Sequence, residues 1–212
     1  EGGGVDDGEV LADTFRHVFP DLGRLANHSP LAQAMLMGFA PRADKVDLKA
    51  YFNTRLGGAA HDELVQGLLQ RLNLEGAGFY ERLYGLGTQA KFVGVGVDLH
   101  GDASRRAKLY VKVARDDLDI ALAPLLEGQS HLHPERAKTE AALLLESVDC
   151  DGLSDEVEIA ISLRSDALPS LKLTAFFSSD DTSDACETCV TNYLETKGYD
   201  GAPIQSLFEM MK

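Results

Sequence analysis

The chain has 212 residues, 44% of them hydrophobic and 25% charged, with a formal net charge of −14. This is an ordinary globular composition, and no apolar run reaches the roughly 18 residues that a membrane-spanning helix needs. So large an acidic excess argues against nucleic acid or an anionic membrane as partner, and it makes any place where lysines converge informative.

In chain order, the Gly-rich start, which lacks Met, reads as a processed, trimmed or truncated end. Val10 to Leu25 follows as a helix interrupted near Pro20. Leu31 to Ala40 and Val46 to Asn53 are extended and joined by a turn at Pro41-Arg-Ala-Asp44. His61 to Leu72 carries Leu64, Val65, Leu68, Leu69 and Leu72 at the spacing of a helix with one buried face. A short helix follows around Phe79 to Tyr84. The order then recurs. Lys91 to His100 and Arg106 to Val113 are extended, and Leu118 to Leu126 and Glu135 to Val148 are helical, with Pro134 at the latter's start. Val157 to Leu163 and Ser170 to Phe177 are extended about a turn containing Asp166 and Pro169. Ala185 to Lys197 and Pro203 to Met211 are helical, with Gly198 as a C-cap.

Three hairpins, about 31–53, 91–113 and 157–177, thus alternate with helices in a single repeating domain over 1–212. Lys49, Lys108 and Lys172 fall at equivalent places in the second strand of each, a true internal period. Phe39, Asp98 and Ser162 stand ten residues before them. Because successive strand side chains take opposite faces, Lys49 and Tyr51, Lys108 and Tyr110, and Lys172 and Thr174 share one polar face. Met37, Phe39, Gly96, Asp98 and Ser162 are expected to line it too. The fold class is α+β, built of repeated αββα units. One reading is an antiparallel barrel, or part of one, with helices outside and the polar face lining a lumen. The other is a two-layer sandwich whose polar face meets water.

Lysines that converge on one cavity repel one another unless an anion is bound. Several ammonium groups can neutralise a diphosphate without a metal, and an aromatic ring two residues on can stabilise a cation. These parts suit ionisation of an allylic diphosphate: Lys stabilises the departing diphosphate while aromatic walls keep water from the carbocation. Other features carry less. Cys186 and Cys189 have CxxC spacing without a second metal pair, and three cysteines suggest no disulfide framework and a reducing, cytoplasmic setting. His131 and His133 read as loop residues. Gly94-x-Gly96 lies within a strand, so it leaves space over the polar face rather than forming a dinucleotide loop.

The stretches MGFAPRADKVDLKAYFN and VGVGVDLHGDASRRAKLYVKV resemble consecutive hairpins of the dimethylallyltryptophan-synthase-type aromatic prenyltransferases. The stretch EVEIAISLRSDALPSLKLTAFF resembles a third, and the second stretch is also similar to the cyanobactin peptide prenyltransferases. The resemblance covers roughly Leu31 to Lys197. It implies an αββα barrel and metal-independent transfer of a prenyl group, dimethylallyl first, from its diphosphate to an indole, Trp, Tyr or peptide acceptor. No cofactor is required beyond the prenyl diphosphate co-substrate. It further implies that Lys49, Lys108 and Lys172 bind diphosphate and that Tyr51 and Tyr110 shield the cation. Thr174 replaces the usual aromatic, and Lys112 and Arg164 add positive potential or lie on the surface. The family has five hairpins, whereas three are legible here. The first, with its acidic base, and the last have no counterpart. Glu158 is a substitute base or a solvated strand-start acid. The alternative function is a noncatalytic barrel or half-barrel that binds a hydrophobic or anionic ligand. Self-association or a partner chain would then use its open sheet edges.

Overall fold

The computed structural model describes residues 7–21, 35–41, 46–54, 61–74, 81–82, 85–86, 90–99, 105–147, 153–164, 167–177 and 183–203. The expected helices around 79–84 and 203–211 lie largely outside them, as does the turn residue Asp166. In chain order the elements are α1 (Asp7–Val18), β1 (Met35–Pro41), β2 (Val46–Phe52), α2 (His61–Arg71), β3 (Ala90–Leu99) and β4 (Arg105–Ala114). There follow α3 (Leu118–Leu126), α4 (Pro134–Ser147), β5 (Leu153–Arg164), β6 (Ser170–Phe177) and α5 (Ser183–Thr196). The strands form one antiparallel sheet in sequence order, β1-β2-β3-β4-β5-β6. It is open, with β1 and β6 at its ends, so the partial barrel is the form present. No helix among the described residues is long and apolar enough to cross a membrane.

The chain divides into two compact units, Glu1–Lys112 with Ile159–Lys172, and Val113–Glu158 with Leu173–Lys212. In the first, β2 shows how a strand gains two unlike faces. Ala50 and Phe52 are 1% exposed, whereas Lys49 and Tyr51, which alternate with them, are half-buried on the opposite side. Phe15 of α1 and Phe19 just past its end pack on Phe52, with ring centroids 6.5 and 6.3 Å away, so α1 covers the apolar face. Residues Leu64, Val65, Leu68 and Leu69 give α2 its buried stripe, which Leu72 continues just past its end. The two helices meet where Gly67 leaves room for the His17 ring, whose Nε2 lies 2.9 Å from the Leu64 carbonyl. Arg71 also pairs with Asp13 at 2.7 Å. Helix α1 ends at Val18, two residues before Pro20, because a proline excludes αR from the residue ahead of it.

In the second unit, α3 buries Leu118, Ala121, Leu122, Leu125 and Leu126. His133, in the left-handed region at φ 47°, leads into α4, which begins on Pro134, where a missing N–H costs nothing. Lys197, just past α5, pairs with Glu140 of α4. Gly198 (φ 76°) ends α5, and the Tyr199 N–H donates to the Leu194 carbonyl at 2.9 Å. Cys189, buried on α5, is disulfide-bonded, while Cys186 keeps its thiol.

Candidate anion-binding face

Adjacent strands of the first unit bring a set of charged residues together on the sheet side away from α1. Lys49 on β2 stands directly across from Asp98 on β3, and Tyr51 from Gly96. Opposed residues project to the same face, so alternation carries Lys49, Tyr51, Asp98 and Gly96 to one side. On β4, Ala107, Leu109 and Val111 are buried on the other side, which leaves Arg106, Lys108 and Tyr110 on this one.

The Asp98 carboxylate is the fixed point of the group. Its side chain is fully inaccessible, it pairs with the Arg106 guanidinium, and the Lys108 Nζ lies 3.9 Å from its Oδ2. Lys108 is held below the ordinary lysine pKa. Burial is the largest cause, opposed by the Asp98 charge and reinforced by Arg106, Lys49 and Lys172. Lys108 therefore feels the charge of both Lys49 and Lys172, although Lys172 on β6 is exposed where the other two are half-buried. Burial and three cationic neighbours favour a neutral amine. A bound polyanion reverses that balance, because it rewards every proton kept on the lysines.

Beside the cations, the Tyr51 and Tyr110 rings lie 6.1 Å apart, tilted by 50°. That separation falls in the range preferred by aromatic pairs. Both rings sit over Gly96: a Cβ there would lie 3.2 Å from Tyr51 Cδ1 and 3.3 Å from Tyr110 Cε2. The glycine thus makes room for the tyrosines and does not open free space above the face, which corrects the reading of Gly96 as part of an empty lining.

A second correction concerns β1. Met37 pairs with Ala50 and Phe39 with Leu48, so both lie on the apolar side, opposite Lys49. Gly38, one residue earlier than expected, faces Lys49, and a Cβ there would sit 3.8 Å from the Lys49 Cβ. The spacing of ten that joins Asp98 to Lys108 does not transfer to the first hairpin. A register change of one residue turns every side chain of a strand to the other face. Ser162 on β5 and Thr174 on β6 are half-buried. Glu158 is also half-buried and has a partner of its own. Sequence reasoning passed over Arg106. The signal was available, since Arg106 has the same strand parity as Lys108 and Tyr110, but a strand-start arginine reads as solvated until its carboxylate is located.

A structure of AnaPT from Neosartorya fischeri matches with a TM-score of 0.69 at 16% identity, covering 94% of this chain and 54% of that one. The chain has the fold of the aromatic prenyltransferases. The 6-dimethylallyltryptophan synthase of Micromonospora olivasterospora, whose structure holds DMASPP and Trp, matches with a TM-score of 0.56 at 17% identity. A further 6-dimethylallyl tryptophan synthase matches with a TM-score of 0.57 at 19% identity. Each of these two is covered over 60% of its length, against 93% of this chain. The chain therefore spans between 54% and 60% of the structures it matches. No protein-family model matches the chain, and neither does any curated protein sequence.

Proposed function

We propose that the face built by β2, β3 and β4 binds the diphosphate of a prenyl donor, dimethylallyl diphosphate first, for transfer to an aromatic acceptor. The observation that carries this is the half-buried Lys49, Arg106 and Lys108 group set beside the paired rings of Tyr51 and Tyr110. The cations stabilise the charge that develops as the allylic C–O bond breaks and its electron pair leaves with the diphosphate. The tyrosine faces stabilise the allyl cation and keep water from it. An electron-rich ring carbon of an indole or phenol then forms the new C–C bond and loses its proton to a base. Glu158 is the acid to test in that role. Lysine and arginine charge takes the place of a divalent ion at the leaving group, so the reaction should run in a chelator. The likeness in fold to two dimethylallyltryptophan synthases supports the same donor class.

The test is pyrophosphate release from dimethylallyl diphosphate, with EDTA present, in the presence of a panel of indoles and phenols. Acceptor-dependent release is expected. Bound donor without turnover would instead favour a noncatalytic binding module. A Glu158→Gln protein that turns over like the parent would remove Glu158 from the scheme.

A further inference from the structure

Asp98 is an odd residue to find at the centre of an anion-binding face. A carboxylate repels diphosphate, and one whose side chain is 0% exposed also bears a large desolvation cost. An inert small residue would serve better if only ligand charge mattered. Yet Asp98 Oδ2 holds Arg106 and approaches Lys108 Nζ at 3.9 Å, and its backbone stands across the ladder from Lys49. Its second oxygen, Oδ1, is buried with no hydrogen-bond partner, so it has acceptor capacity to spare for the lysines on either side.

We propose that Asp98 is a positioning residue: it is the resident counter-charge that fixes Arg106 and Lys108 on the polar face and keeps Lys108 an ammonium while the site is empty. Its relevance to ligand binding rests on the diphosphate reading given above. Without Asp98, Lys108 would be left with its burial and the repulsion of Arg106, Lys49 and Lys172. All of these favour the neutral amine, which binds phosphate oxygens poorly. Asp98 thus costs some attraction for the anion and in return keeps a donor charged and aimed. The charged groups that act on Lys108 come from β2, β3, β4 and β6, in Lys49, Asp98, Arg106 and Lys172. Asp47 on β2 and Arg164 on β5 lie farther along the same side of their strands.

Two substitutions should move Lys108 in opposite directions, a result that loss of structure alone would not give. The near-isosteric Asp98→Asn removes a negative neighbour, and Arg106→Gln a positive one. The first measurement needs no ligand: competitive acylation of Lys108 as a function of pH, read by peptide mass spectrometry. In Asp98→Asn the reactivity midpoint should fall, and in Arg106→Gln it should rise. Midpoints that stay put, or that shift the same way in both proteins, overturn the assignment. The second measurement is inorganic pyrophosphate binding across the same pH range by titration calorimetry. Its alkaline loss should move down with the acylation midpoint in Asp98→Asn. Bound pyrophosphate with an unmoved alkaline limb overturns the role of Asp98 alone. Pyrophosphate that fails to bind the parent protein at any pH overturns the diphosphate reading, and the ligand half of this proposal with it.

Discussion

Lys108 and Gly96 show how much a single residue on this face decides. Lys108 is partly buried beside a carboxylate, so its ammonium is held in place before any ligand arrives. A hydrogen bond from a charged donor to a phosphate oxygen is worth about 1.5–3 kcal/mol, so Lys108→Met should weaken pyrophosphate binding by roughly 10- to 100-fold. Titration calorimetry at neutral pH measures this. Because the Lys108 pKa is lowered, binding that depends on its charge should be full in acid and fail as pH rises, below the range in which an ordinary lysine loses its proton. At Gly96, an added methyl group meets two aromatic rings at 3.2–3.3 Å. Gly96→Ala should therefore cost about 1–3 kcal/mol through overpacking, seen as a lower urea midpoint, and should also spread Tyr51 from Tyr110. The Lys-x-Tyr pairs were legible in the sequence because strand period two assigns faces without further information. Arg106 was not, because its role depends on a carboxylate eight residues away that only the hairpin brings to it.

Among the elements, α1 is fixed to the sheet by aromatic packing, and the pairing of α4 with α5 involves charge. Phe52 is 1% exposed and touches both Phe15 and Phe19. Phe52→Ala should cost about 3–5 kcal/mol, read as a fall in the urea midpoint with an unchanged slope. The Glu140 carboxyl is held below the ordinary glutamate pKa, first by its hydrogen bond from Lys197. A depressed carboxyl contributes stability that is present above the unfolded pKa and lost as pH falls through the folded value. Melting curves taken from pH 6 downward should therefore show an acid loss that Lys197→Met reduces. The caps of this region were readable as local chemistry. Pro134 begins α4 and Gly198 ends α5 where backbone rules place them. The face of β1 was not readable, because it depends on the register set across the turn, and one residue there reverses Met37 and Phe39.

Across the whole molecule, a chain of net charge −14 gathers cations on one side of one sheet. At the edge of that sheet, beside β2, β1 leaves Leu36 64% and Phe39 68% exposed on opposite faces. An exposed apolar edge strand is a template for pairing with other chains. Phe39→Lys should lower the associated fraction seen by light scattering while leaving pyrophosphate binding intact, since Phe39 lies across the strand from the cation face. The sequence by itself determined the strand and helix order, the two unlike faces and the lysine repeat, because each follows from local periodicity and spacing. The tertiary structure alone decided which residues oppose one another, that Asp98 is the buried partner of Arg106 and Lys108, and that tyrosine rings fill the space over Gly96. Those outcomes depend on register and on contacts between residues distant in the chain, where a shift of one position changes every neighbour and leaves the local pattern untouched.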